Sequence, residues 1–416
     1  MQDGRELADC GWWRSVARMG SALAVLAALF CYILLFRSPG TSDVDEYWMY
    51  WTRLMRDHGV IGGYAAAHCD YPPLVFVLLH GIAHVATALR IDDFRTLKAA
   101  VELAAVGGGI VFWFWCRNLW LTAAFLIVVV INSAAQFYLD AFYLAPLLLA
   151  LWALQRHRIV AAGFLLAVSA GMKWQPLIVA PFFLLQAYKI GATESAAWRR
   201  WLRTSGEFAA GALFLALPIL TAFGPIAVLR SLEKATSHAA LSFQALNLNW
   251  IVQMFLYKHF GLSGTPYYTV PVPFPLHVAA KSAFFLGYAF FLLVLWRRGR
   301  TVADFLGAAC AGAYTYYALN IGVHENHLFV AMIMAFALWS TDPPRLWPGA
   351  LYLGIIANLN LVLFYGLHGR DVPPVGSVGF DTASILLALM NLYFLMVCFR
   401  IAARRWRGGV APYPAV

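Results

Sequence analysis

The sequence predicts an all-α, polytopic integral membrane protein, on three observations. Of its 416 residues, 62% are hydrophobic and only 12% charged; mean hydropathy is +0.69; and apolar runs of membrane-spanning length recur throughout. Nearly everything is membrane or short loop, so residues 1–416 are read as a single transmembrane domain. Six scattered cysteines, Cys10, Cys31, Cys69, Cys116, Cys310 and Cys398, lie in or beside apolar helices and imply neither a disulfide framework nor a zinc site.

Arg5, Arg14 and Arg18 precede the apolar run from Met19 to Phe36, no small-residue cleavage site follows, and Arg37 closes the run. An uncleaved first span with a cytoplasmic amino end is expected. The loop after it, 38–96, places three carboxylates within four residues, Asp43, Asp45 and Glu46, next to Tyr47 and Trp48. It closes on Asp70-Tyr71-Pro72-Pro73-Leu74. Acidic and aromatic residues also anchor membrane helices at the interface. That role suits Asp45 and Glu46, whereas Asp43 and Asp70 fit a site.

Whether 72–89 crosses the membrane decides every later loop. After residue 100, one alternating set of loops holds fifteen Lys and Arg, among them Arg117, Arg156, Lys189, Arg200, Arg298, Arg300 and Arg405. The other holds six: Lys173, Arg230, Lys234, Lys258, Lys281 and Arg370. The richer set is cytoplasmic only if 72–89 stays on the outer side as a surface helix, with His80 and His84 sharing its polar face. The spans then fall at 19–37, 97–115, 119–135, 138–154, 159–172, 174–189, 207–223, 278–296, 301–319, 326–341, 346–365 and 379–399. That makes about twelve, with both termini cytoplasmic. Several are too short for a perpendicular crossing, which predicts broken helices around a cavity.

This topology gathers polar residues on the outer face: Asp43, Asp70, Gln136, Asp140, Lys173, the large loop 224–276 with Arg230, Lys234, His238, Asn247 and Asn249, and the group His324-Glu325-Asn326-His327. Ionisable residues at membrane depth are costly and usually face a bundle interior or an aqueous path. Lys173, between two apolar runs, would serve as a point charge for a phosphate or as a snorkelling helix-end lysine. The His-Glu-Asn-His group lacks the spacing and third ligand of a zinc site; hydrogen bonding to phosphate or sugar, or a structural helix end, are its readings.

Together, the acidic residue after the first span, the Asp-Tyr-Pro-Pro step, the Lys173 and Gln175 step and the His324-Glu325 pair resemble the GT-C glycosyltransferases. The resemblance covers roughly 20–340, and is nearest to the dolichyl-phosphate-glucose-dependent glucosyltransferases that extend lipid-linked oligosaccharides and to bacterial polyprenyl-phosphate-sugar-dependent relatives. It implies a GT-C fold with surface helices in the first outer loop. The implied partners are a polyprenyl-phosphate-linked sugar donor, a glycan or glycolipid acceptor and the lipid bilayer, with no nucleic acid. By the same resemblance Asp43 is the catalytic aspartate. The resemblance also matches Asp70, Gln136, Lys173 with Gln175, and His324 with Glu325; with the other polar residues of the outer face added, Lys173, His324 and Arg230 would hold the donor phosphate, and Asp70, Tyr71, Gln136, Asp140, Gln175, Asn247 and Glu325 the substrates. Trp174, between the lysine and the glutamine, and His327 depart from the family pattern.

The chemistry so implied breaks the anomeric C–O bond through an oxocarbenium-like state. One base opposite the leaving phosphate gives a single displacement with inversion, Asp43 taking the acceptor's proton. No metal or other cofactor is required, although Asp43 and Asp45 could chelate a divalent cation instead. Glucose or mannose is the expected hexose. Low lysine and high arginine and alanine content point to a bacterial inner membrane with a periplasm-facing site, the endoplasmic reticulum with a lumenal site being the alternative. A secondary transporter using the intramembrane charges is the other class considered; no repeat between the two halves supports it. An O-acyltransferase lacks a convincing intramembrane His-centred site.

Overall fold

The computed structural model describes residues 25, 26, 28, 29, 36–190, 196–237, 240–259, 273–371 and 374–408, without the side chains of 343–345. Most of the first predicted span, the amino-terminal arginines, Cys10, Cys31 and His238 lie outside them. Among the described residues the chain is almost wholly helical. A π-helical turn, Val44–Trp48, leads into α1 (Met49–Ala67), which bends at Gly59, and α2 (Pro73–Leu89) follows. Next come α3 (Asp93–Cys116), α4 (Leu119–Val130), α5 (Ala141–Gln155), α6 (Ile159–Met172), α7 (Ala180–Ile190), α8 (Ala197–Phe223) and α9 (Pro225–Thr236). The rest comprises β1 (Ser242–Phe243), α10 (Leu248–His259), α11 (Phe274–Arg298), α12 (Val302–Leu319), β2 (Val323–His324), α13 (Phe329–Trp339), α14 (Pro343–Tyr365) and α15 (Val378–Trp406).

Every predicted span after residue 90 coincides with helical chain. Five helices, α3, α8, α11, α15 and the Leu346–Tyr365 part of α14, are individually long and apolar enough to cross a bilayer. This is an integral membrane protein. The starts are written locally: Asp92 accepts from the Arg95 amide, Asn118 from Leu121 and Ser377 from Phe380, while Thr301 and Asp304 form a reciprocal capping box.

Apolar helices gain little from mutual burial in lipid, so close backbone approach through small residues holds them together. At the α6–α8 crossing, a Cβ on Gly163 would collide with the Phe208 carbonyl and one on Gly211 with the Val160 carbonyl. On α12, Gly312 lets Phe182 pack where a Cβ would collide with its ring. α2 turns Val75, Phe76, Leu79 and Ile82 inward. On its outer side His80 donates from Nδ1 to the Met55 carbonyl at 2.9 Å, so its Nε2 accepts from His84 Nε2 at 3.0 Å.

The short helices break at three places: a π turn at Ile131–Ala135 and 3₁₀ turns at Gln175–Val179 and Glu325–Leu328. Two bonds show that these breaks converge. Lys173 Nζ bonds Asp140, and the Tyr138 hydroxyl donates to Glu325 at 2.6 Å. The broken helices therefore surround one polar region.

Candidate functional site

The segment carrying Asp43 is fastened before it reaches the site. Ser38 Oγ donates to the Ala135 carbonyl at 2.6 Å and the Thr41 amide to Gln136 at 3.0 Å. Gly40, at φ 79°, sits against Phe137 where a Cβ would not fit. Beneath this knot Lys98, buried on α3, donates to the Ser38 and Ala134 carbonyls. The loop 366–370 covers it: Gln136 Nε2 donates to the Gly366 carbonyl at 2.7 Å, and Arg370 pairs with Asp45 at 2.8 Å. Nothing in the sequence singled out Lys98, because its partners are backbone carbonyls distant along the chain.

Asp43 stands just before the π turn, its side chain making no capping bond, and is partly buried within electrostatic reach of Lys173, Glu46, Asp70 and Asp140. Its carboxyl is pushed up to about 6, first by burial and then by the neighbouring carboxylates, against the opposing pull of Lys173. Asp45, two residues on, is 64% exposed and committed to Arg370, so it is directed away from Asp43's surroundings. The two do not present a shared chelating face. Among the described residues no group of three or more His, Cys, Asp or Glu is clustered for a metal.

Beside the carboxylates lies a cavity of about 460 Å³. Its wall carries the polar side chains of Asp70, Lys173, Lys281, His324 and His327; Asp43 is not part of it. The remainder is largely apolar, including Leu177, Ile178, Pro181, Phe284, Phe285 and Tyr288. Tyr71 joins the two, its ring packed edge-on to Trp48 and Trp51 at 5.3 Å each, with Lys173 Nζ 5.5 Å from its centre. Trp174 is explained here: its indole donates to Ser231, whose hydroxyl donates to the Tyr71 carbonyl. The tryptophan thus fixes α9 onto the Asp70-Tyr71 loop.

Lys173 arrives already paired with Asp140, which is fully buried and also accepts from Asn132 at 3.2 Å. Asp140 therefore orients the lysine and has no surface left for a substrate. His324 stacks on Phe243 at 4.6 Å with rings 5° apart, because β1 and β2 pair in parallel. His327 Nδ1 faces the Tyr316 hydroxyl at 3.2 Å and accepts from the His324 amide at 3.4 Å. Both contacts fit an acceptor nitrogen, which leaves the proton on Nε2. His327 thus stands in the cavity wall, in keeping with the phosphate or sugar hydrogen bonding expected of its group.

Of the residues predicted for the site, Asp70, Tyr71, Lys173, Gln175 and His324 line the cavity, and Glu325 joins through Tyr138. Arg230 does not: it lies on the exposed side of α9, whose inward face is Ser231, and Lys281 of α11 supplies the cavity's second lysine. Gln136 is buried in the knot. Asn247 uses both ends structurally, donating to the Tyr317 carbonyl and capping α10 through the Trp250 amide. Both side chains bond the protein's own backbone and neither lines the cavity. Comparison with known proteins gave no match, either to a family model or to a curated protein.

Proposed function

We propose that the chain is a membrane glycosyltransferase of the GT-C type, moving a hexose from a polyprenyl-phosphate donor to a lipid-linked glycan or other extracytoplasmic acceptor with inversion. One observation carries this reading. The cavity is lined by lysine and imidazole groups together with an aromatic and aliphatic surface, and Asp43, whose carboxyl is pushed up to about 6, lies within electrostatic reach of its Lys173 and Asp70. A prenyl phosphate has the same division, a dianionic head on an apolar tail. In this reading the protein crosses twelve times, with both termini cytoplasmic and the cavity on the outer side of a bacterial inner membrane.

Lys281, His324, His327 and the shared charge of Lys173 stabilise the phosphate as the anomeric C–O bond breaks, in a site where water is largely displaced. Asp43 takes the acceptor hydroxyl's proton as the new C–O bond forms on the opposite face of the sugar. A carboxylate raised toward neutral pH is a stronger base than an exposed aspartate and stays ionised at pH 7. Asp70 and Gln175 are placed to bond sugar hydroxyls. The purified protein should release polyprenyl phosphate from polyprenyl-phosphate-glucose or -mannose when a membrane lipid extract supplies acceptor. Absence of both release and donor binding would reject the reading.

A further inference from the structure

A second cavity, of about 570 Å³, lies at the other end of the carboxy-terminal helices, enclosed by α11, α12, α14 and α15. Its volume is within the roughly 300–1,000 Å³ of ordinary ligand sites. Val294, Leu353, Phe394, Val397 and Ile401 are among its walls, which are apolar. Its floor is a closed polar cluster: Tyr314 and Tyr352 donate to Asn391 Oδ1 at 2.8 and 3.1 Å, and Asn391 Nδ2 donates to the Leu246 carbonyl at 2.6 Å. With those groups satisfied, the chamber inside its charged rim offers water few partners.

Charge is confined to the rim, where Arg298, Asp304 and Arg405 sit. Arg405 pairs with Asp304, and Arg298 is exposed with Nη2 donating to the Trp406 carbonyl at 3.0 Å. Arg297, Arg300, Arg404 and Arg407 flank them, so the rim is strongly positive despite its one carboxylate. The geometry points to a bound phospholipid with an anionic headgroup, its acyl chain in the chamber and its phosphate at Arg298. Basic pockets between membrane helices recognise such headgroups. Its charged end is separate from that of the proposed donor site: along α11, at 1.5 Å per residue, roughly 26 Å lies between Lys281 and Arg298, although the apolar walls of the two cavities come within a turn of each other at Tyr314 and Tyr316.

Gly349 offers a way to fill the chamber, since a Cβ there meets nothing nearer than Phe394 Cζ at 3.9 Å. Native mass spectrometry of the protein, incubated in mild detergent with palmitoyl-oleoyl phosphatidylglycerol or the matching phosphatidylcholine, reads the occupant. The expected result is one retained phosphatidylglycerol per chain, at least about fivefold preferred over phosphatidylcholine, the effect of one basic side chain beside an anionic head. Gly349→Phe should abolish retention with unchanged melting. Arg298→Gln, an exposed substitution that leaves the fold intact, should reduce phosphatidylglycerol to the phosphatidylcholine level. Equal retention of the two lipids by the parent, retention unaltered in both variants, or displacement by excess polyprenyl phosphate would each overturn the assignment.

Discussion

The two cavities are similar in size and lie at opposite ends of the same helices, but they handle charge differently. The outer one brings charged and imidazole side chains into its wall at broken helix ends, where Lys173, Asp140 and Glu325 are buried and bonded. The inner one keeps its charge at the rim and its polar floor closed on itself. Unbroken helices satisfy their own backbone and enclose an apolar chamber; only where the helices break do loops bring polar side chains to membrane depth. That difference is why we propose chemistry for the first cavity and retention of a lipid for the second.

The largest expected effect comes from Asp43→Asn, which should cost about 10²-fold or more in transfer. Its sign in stability is opposite. Because the native carboxyl holds its proton up to about pH 6 and the unfolded one only to the ordinary aspartate range, stability from this group falls as pH rises between the two. Asp43→Asn should therefore melt no lower than the parent at pH 7, by differential scanning fluorimetry, and a large drop in melting would assign the lost activity to misfolding.

His327→Phe comes next. It keeps a ring near Tyr316 and removes the Nε2 donor, and should lower turnover by about 10²-fold, the scale of losing one donor to a developing anion, with little change in acceptor KM. Lys173→Ala should act mainly on stability, since Asp140 is left as an unpaired buried carboxylate, a loss of about 3–5 kcal/mol. Lys173→Met combined with Asp140→Leu should restore melting without restoring donor affinity. Recovery of donor affinity as well would reduce the lysine to a structural part.

How much of this was legible in the sequence depends on what each residue bonds. Helix positions followed from the apolar runs, broken helices from spans too short to cross, and the break at Lys173 from a cation between two such runs. Asp70, Lys173 and His324 were legible because an ionisable group at membrane depth needs a special reason. That Gln136 and Asn247 lie outside the cavity, bonded to backbone, was not legible, because an amide that bonds backbone is indistinguishable in sequence from one that binds a sugar. Lys98 and Lys281 were missed because each sits in an ordinary-looking helix, and only the fold shows what lies opposite it.

Smaller effects sharpen the comparison. Turnover should rise about tenfold per pH unit below about pH 6 and level off above it, as expected for one essential base with Asp43's raised pKa. A profile already flat from pH 5 would remove Asp43 from that role. Asp45→Asn, which breaks an exposed pair with Arg370, should change activity and melting by no more than about 1 kcal/mol.

The central claim is that the outer cavity seats a prenyl phosphate, and photo-crosslinking tests it most directly. A polyprenyl phosphate with a diazirine in its first isoprene units, irradiated with the purified protein and mapped by peptide mass spectrometry, should label the segments 173–181 and 281–288, beside Ile178 and Phe284. Label confined to 390–402, or spread evenly over the lipid-facing helices, would contradict it.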